Sequence, residues 1–522
     1  MKRQSYIPLI VAISVIIGMA IGFYLLRDSS SANFGVKDRN SKIAYILDLI
    51  DKQYVDKTNQ DSLADDAIRA LLAELDPHSV YLTAEEVKRE NDDLNGNFEG
   101  IGIQFRIVGD SIAVVRTLSG GPSEKVGVLA GDRIVKVNGR KLKNISNDTV
   151  QHLLKGPKGS TVKLSIYRKG ISHLIDFDIK RDVIKTKAVA YYGMLNPITG
   201  YIKLNEFGAN SHAEVVTALR SLNKRGMKQL VFDLRDNGGG YLDQAIAIAD
   251  EFIPKGDLIV YTDGRFRGRT DAYATENGLF ETGKLIVLIN EMSASASEIV
   301  SGCIQDNDRG KVIGRRTFGK GLVQEQKTLP DNSAIRLTVA RYYTPSGRCI
   351  QRPYIKGDPD KYFEDFVKRF EEGNPDTIKH DPKLRYKTKN GRYVYGGGGI
   401  EPDITLSYNL LKHSSYFLSL YKNGIIYKYC FDYVDENRNV FKQYKTGDDF
   451  IKRFKVDDAI YNSLIAYAKT QGAKVDKLSK QEKEEIKDLV KGYIAQSIFD
   501  DVYFYRIYTS QDKELLQAIK YF

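Results

Sequence analysis

Apolar residues recur at two different periods along this chain, and the changes of period mark its parts. From residue 40 to about 95 they are spaced by three and four. The stretches "IAYILDLIDKQYV" and "LADDAIRALLAELDPHS" therefore predict helices. Asp76-Pro77 ends the second, because a residue before proline is pushed out of the helical region. From 96 to about 182 the period falls to two. "GNFEGIGIQFRIVGDSIAVVRTL" predicts strands around a Gly-Asp turn, Asn138-Gly139 predicts a hairpin, and "DTVQHLLKG" predicts a short amphipathic helix. From Gly200 strands and helices alternate. "GYIKLNEF", "KQLVFDLRDNGGG" and "KLIVLIN" predict strands. "HAEVVTALRSLNKRG" (capped by Gly226), "YLDQAIAIADEFI" and "SASASEIVSGCIQDN" predict helices, and two further strands follow before residue 350. Residues 355–399, rich in Asp, Lys and Gly with glycines at 396–399, predict a long surface insertion. Residues 410–522 return to helical spacing with many Lys and Tyr and carry no chemical motif.

The start of the chain changes the picture. Lys2 and Arg3 precede an uncharged run of 20 residues, Ile7 to Leu26. That length suits a bilayer-spanning helix better than a secretory h-region, and the basic flank predicts that everything after Arg27 lies across the membrane. A signal-anchor is expected, with a cleaved signal near "SSSAN" as its rival. Ser14, Gly18 and Gly22 share one face of this helix. Such a face permits close helix pairing, and so a homodimer or higher oligomer, but glycine is also common in lone anchors.

Composition adds mainly exclusions. The 522 residues are 42% hydrophobic and 28% charged, an ordinary globular balance with room for three or four domains. The net charge of +11 is spread among acidic residues, with no nucleic-acid-binding signature, so nucleic acid is not expected as a partner. Cys303, Cys349 and Cys430 have neither metal spacing nor a disulfide framework, and no metal or cofactor is expected.

The candidate chemistry lies in "NEMSASASEIVSG", four serines (Ser293, Ser295, Ser297, Ser301) at a strand-to-helix corner. A nucleophilic serine needs a base. None of the six histidines falls between 233 and 349, where the glycine- and serine-rich motifs lie; His78, after Asp76-Pro77, reads as a capping or packing residue. Lysine serves as a base once burial disfavours its charged form. "TFGKGLVQ" offers Lys320 between Gly319 and Gly321. On a strand Lys320, Leu322 and Gln324 would share a face, so Gln324 could orient the amine. Taken alone, Lys320 would read as a surface lysine in a hairpin.

Two resemblances extend this reading. The order of elements over 96–182, with "EGIGI" and "AGDRIVKVNG", resembles a PDZ domain. Gly100, Ile101, Gly102 and Ile103 stand where that family carries its carboxylate-binding loop, and two glycines let successive N–H groups face one concavity. The set "LDPHSVYLT", "DLRDNGGG", "NEMSASASEIVSG", "TFGKGLVQ", "ARYYTPSGRCIQ" and "GGIEPDI" resembles the C-terminal processing peptidases, tail-specific serine proteases with a Ser–Lys dyad and an inserted PDZ domain. The resemblance covers 40 to about 408 and implies a multi-domain α/β protein. Its parts would be an anchor (1–28), a helical region (40–95), a PDZ domain (96–182), a crotonase/ClpP-like α/β protease core (183–408) and a C-terminal helical region (409–522). It implies Ser295 as nucleophile, Lys320 as general base and Gln324 as orienting residue. Helix geometry adds the Ala296 amide as an oxyanion donor, with a second from Gly239 or Gly240. Asn237 reads as a turn former. Protein or peptide C-terminal tails would be the partners, and a bacterial inner membrane with the catalytic part in the periplasm the location. The rivals are a crotonase-like acyl-CoA enzyme and a non-catalytic PDZ scaffold holding exported tails.

Overall fold

The computed structural model describes residues 39–522 except 119, 276, 372–379, 408–412 and 475. The anchor expected at 7–26 lies outside the described residues. Among the described residues no helix is long and apolar enough to cross a membrane. The chain falls into two compact units, 1–72 and 73–522. In the first, helices Arg39–Gln53 and Gln60–Ala73 follow the predicted spacing, and both end before Asp76-Pro77.

The second unit is built on a six-stranded sheet. Its order is Val189–Met194, Thr199–Leu204, Gln229–Asp233, Lys284–Ile289, Lys311–Gly314 and Ile404–Thr405. The first pair is antiparallel and the rest are parallel. Central parallel strands are covered on both faces, which is why "KLIVLI" reads as an unbroken apolar run. Val287 and Ile289 pack in the larger core beneath helices Ser211–Lys224, Leu242–Asp250 and Ala296–Asp306. Their alternates Ile286 and Leu288 pack on the other face with Tyr201, Val231, Leu515 and Ala518. The second face is thus closed by Lys513–Ala518, a helix of the C-terminal region to which the sequence assigned no task.

A second sheet joins Ala334–Tyr343 to Val80–Leu82, to Leu322–Thr328 and to the hairpin Leu258–Gly264/Gly268–Tyr273. That hairpin and the three-residue strand at Val80 were not expected. Residues 268–273 are mostly exposed and polar, and a three-residue strand shows no period.

The inserted domain has its own sheet, in the order Ile103–Val108, Ser111–Thr117, Arg133–Val137, Thr161–Tyr167, Ile175–Lys180. Its core includes Ile101, Ile112, Val114, Val150 and Leu164. The incoming segment Asn97–Gly100 and the outgoing segment Asp182–Lys185 pair antiparallel.

The stretch 355–399 is not merely a surface insertion. Helix Pro359–Glu371 buries Tyr362 and Phe366. The glycine run threads the core, with the amides of Gly397 and Gly399 donating to the Cys349 and Ile350 carbonyls at 2.8 Å each. A side chain at Gly399 would come within 2.6 Å of the Thr317 carbonyl, so these glycines report close packing rather than a free loop.

Candidate active site

The four serines separate by burial. Ser293, Ser297 and Ser301 are fully buried and spend their hydroxyls on carbonyls: Leu234 (2.8 Å), Asn237 (2.8 Å) and Ser297 (2.8 Å). Ser295 alone is half-buried and lines a cleft of about 510 Å3. It precedes the first residue of helix Ala296–Asp306 with φ +53° and ψ −111°, a conformation a non-glycine residue adopts only when its surroundings enforce it. Such a corner lifts a side chain clear of both elements.

The surroundings that enforce it are two buried groups. The Glu298 carboxylate, completely buried, accepts from the Ser295 amide (2.8 Å), the Lys320 amide (2.8 Å), the Gly319 amide (2.7 Å) and the Thr317 hydroxyl (2.5 Å). Burial pushes its pKa up to about 7 despite these four donors. The Tyr342 hydroxyl donates to the Ser295 carbonyl at 3.1 Å and also to the Lys320 carbonyl. Ser295 and Lys320 are therefore tied together through their backbones on two sides. The sequence reading named neither residue. Ser-x-x-Glu at 295–298 is a visible capping pattern that could have flagged Glu298, whereas Tyr342 carries no signal.

Lys320 lines the same cleft as Ser295. Burial, then the charge of Arg336, lowers its pKa from 10.5; Glu298 acts more weakly in the opposite sense. Lys320 precedes the strand that begins at Leu322, and the register shifts between Val323 and Gln324. Simple alternation of Lys320, Leu322 and Gln324 on one face therefore does not hold. The irregularity brings Val323 as well as Leu322 and Gln324 to the cleft. The Gln324 side-chain amide donates to the His78 carbonyl. His78 itself packs edge-on to Phe318 and Tyr362. Burial first, then the Lys320 charge, lowers its pKa to about 4, so it is neutral at physiological pH.

The glycine turn 238–240 lines the cleft opposite. A Cβ at Gly239 would meet the Ser295 Cβ at 2.9 Å and the Ala296 nitrogen at 3.1 Å, and its φ is +106°. Gly239 must be glycine for the serine corner to sit where it does. Its amide already donates to the Asn237 side-chain oxygen at 2.9 Å. The Gly240 amide donates no hydrogen bond to the described backbone, and Ala296, as first helical residue, has no intrahelical acceptor. Asn237 joins the two loops: its carbonyl accepts from Ala294 (3.0 Å) and the Ser297 hydroxyl (2.8 Å).

Residues 198–360 match peptidase family S41, 100–179 a PDZ domain, 25–86 the N-terminal domain of the activating protease CtpB, and 416–500 a family of unknown function. A carboxy-terminal-processing protease of Bartonella bacilliformis is 39% identical over 329 residues, 61% of this chain and 75% of its own. The carboxy-terminal processing protease CtpA of Bacillus subtilis is 34% identical over 374 residues, 70% of this chain and 79% of its own. The chain belongs to the carboxy-terminal processing proteases. It is a serine-type peptidase with a PDZ domain, and the non-catalytic scaffold reading is set aside. Among solved structures, the photosystem II D1 C-terminal processing protease is 26% identical, covering 71% of this chain and 93% of its own at a TM-score of 0.36.

In this processing protease the PDZ loop carries free donors. Ile101 anchors the loop in the domain core, and its carbonyl accepts from the Ser123 amide (3.0 Å) and hydroxyl (2.7 Å). The Gly102 carbonyl accepts from Leu118 (2.9 Å), and Gly102 has φ +71°. The amides of Ile101 and Gly102 donate no hydrogen bond to the described backbone. Ile103 opens an edge strand of the sheet, which among the described residues pairs on one side only. Among the described residues no group of three His, Cys, Asp or Glu is placed to hold a metal ion.

Proposed function

We propose that this protein binds the C-terminal tails of protein substrates through its PDZ domain and cleaves them by a Ser295–Lys320 acyl-enzyme mechanism. Neutral Lys320 takes the proton of the Ser295 hydroxyl as its oxygen attacks the scissile carbonyl. The developing oxyanion is held by the amides of Ala296 and Gly240, with Gly239 keeping the turn close. The protonated Lys320 then delivers the proton to the leaving amine, and water releases the acyl group with Lys320 again as base. Gln324, its NH2 committed to the His78 carbonyl, turns its oxygen to the lysine amine and orients it. The Ile101 and Gly102 amides receive the substrate's terminal carboxylate, with Gly100 and Ile103 shaping the loop and its strand edge. The anchor at 7–26, on the strength of its length and basic flank, holds the enzyme in a bacterial inner membrane with this site on the export side.

One observation carries the chemistry: the only half-buried serine of the four shares a cleft with a lysine whose charged form burial disfavours. The test is steady-state hydrolysis of a tail peptide. Ser295→Ala and Lys320→Ala should both be inactive. Lys320→Arg should match them, because guanidinium stays protonated. Amidating the peptide's C-terminus should weaken cleavage, by about 1–3 kcal/mol for donors left unpaired. Near-normal turnover by folded Lys320→Arg would remove the lysine from the mechanism. Equal cleavage of free-acid and amidated peptides would remove the tail-binding role.

A further inference from the structure

The PDZ domain meets the C-terminal helical region through three arginines on its sheet. Arg106 pairs with Asp432, donates to the Lys428 carbonyl at 3.2 Å and lies 4.3 Å over the Phe431 ring. Arg116 pairs with Asp501, and its Nε donates to Gln104 at 2.9 Å. Arg133 lies 3.8 Å from Asp435. Between these pairs Ala113 and Val115 close on Phe431. At the Gly131 turn the fit is closer still, since a Cβ there would fall 1.6 Å from the Arg438 side chain.

The helical region is in turn fixed to the catalytic sheet. Asp512 and Glu514 pair with buried Arg235, and Glu514 also with buried Arg315. Tyr505 stacks on Tyr191 at 5.6 Å. The PDZ domain is thus held at two places, by its own paired incoming and outgoing segments and by an arginine seat on a rigid support. Polar inter-domain contacts usually allow motion; here part-buried arginine–carboxylate pairs and the Phe431 contact favour one seated position among those the domain could sample. Helix Ala84–Leu94 lines the cleft with Glu90, Asn91, Asp93 and Leu94, and the carboxylate loop begins six residues on, at Gly100. At 3.3–3.6 Å per extended residue Leu94 and Gly100 lie no more than about 22 Å apart, a span that about six extended substrate residues cover.

We propose that residues 413–522 act as a ruler: by seating the PDZ domain through Arg106–Asp432 and Arg116–Asp501, they fix how far from a substrate's C-terminus the bond is cut. The inference rests on the tail-binding reading above and concerns only the register of cleavage. None of the seat residues lines the cleft or belongs to the carboxylate loop.

The experiment uses the full chain and peptides that share one free-carboxyl tail beneath a run of equivalent apolar residues, so that many bonds are cleavable. Products are read by mass spectrometry. The wild-type enzyme should cut at one distance from the tail, and residues inserted upstream of the tail should leave that distance unchanged. Asp432→Lys with Asp501→Lys should spread the cuts over several bonds at unchanged total turnover. Adding Arg106→Glu and Arg116→Glu should restore the single cut. Asp432→Asn with Asp501→Asn should spread the cuts less and serves if the reversed pair does not fold. A single unchanged cut in the variants, or scattered cuts by the wild type, overturns the ruler while tail capture stands. Identical products from free-acid and amidated peptides overturn tail capture, and the ruler with it.

Discussion

At the scale of residues, the site depends on groups that never touch substrate. Glu298 is the clearest: one carboxylate holds four donors drawn from both sides of the dyad. Glu298→Gln keeps the size but turns an NH2 toward a backbone N–H, which costs about 1–3 kcal/mol as an unmet buried donor. Turnover of a tail peptide should therefore fall by roughly 10- to 100-fold, with KM little changed. The same group has a stability signature. Its pKa rises from 4.5 to about 7 on folding, so its contribution is fully present below pH 4.5 and is lost as pH rises through 7. Glu298→Gln should flatten that part of a plot of denaturation midpoint against pH. The activity profile has the opposite slope. Raising the pH deprotonates Lys320, so kcat/KM should climb on an ascending limb whose midpoint lies below 10.5. A limb at or above that value would mean the lysine is not tuned. The serine motif stood out in the sequence because its neighbours are small, whereas Lys320, which alone reads as a surface lysine, was singled out by the resemblance of the motifs around it. Tyr342 was not, since a buried hydroxyl bridging two carbonyls leaves no periodic trace.

At the scale of elements, the turn 76–79 supports the strand that carries Gln324. The Asp76 carboxylate accepts from the His78 amide (2.9 Å), the Ser79 amide (2.9 Å), the Ser79 hydroxyl (2.6 Å) and Thr338 (3.1 Å). It thereby sets the His78 carbonyl against Gln324. Asp76→Ala strands several of these donors, and thermal unfolding should show a loss of about 1–3 kcal/mol together with a lower kcat. Gly239→Ala is the complementary case. Its methyl would collide with Ser295 at a φ of +106°, so activity should vanish while circular dichroism stays native. An active Gly239→Ala would mean the turn is not packed against the serine corner. The parallel strands and the helices flanking them were readable from burial on both faces and from 3.6-residue spacing. The exposed, polar strand Gly268–Tyr273 and the irregularity at Val323/Gln324 were not, because the first lacks an apolar alternation and the second is a one-residue slip in pairing that leaves no mark on the pattern. The glycines at 396–399 misled for a related reason: a composition typical of loops served close backbone packing.

At the scale of the whole molecule, the C-terminal helices belong to the enzyme rather than being appended to it. Arg235 follows the strand that leads into the glycine turn, and Arg315 pairs with Glu291 in the serine loop. Both arginines share Glu514. Glu514→Ala leaves Arg235 with Asp233 and Asp512 and Arg315 with Glu291, but strips one buried acceptor from each arginine, and a denaturant titration should register a loss of about 1–3 kcal/mol. A change within 1 kcal/mol, the scale of an exposed pair, would contradict that role. Nothing in residues 410–522 announced it, since an ion pair across 277 positions has no local pattern. The central claim, that Lys320 activates Ser295, is tested most directly by labelling the intact full-length protein with a fluorophosphonate and locating the adduct by mass spectrometry. One adduct should form on Ser295, none on the Ser295→Ala protein, and the rate in folded Lys320→Ala should fall by about 10²–10⁴-fold. Label on Ser293, Ser297 or Ser301, or equal rates with and without the lysine, would contradict it.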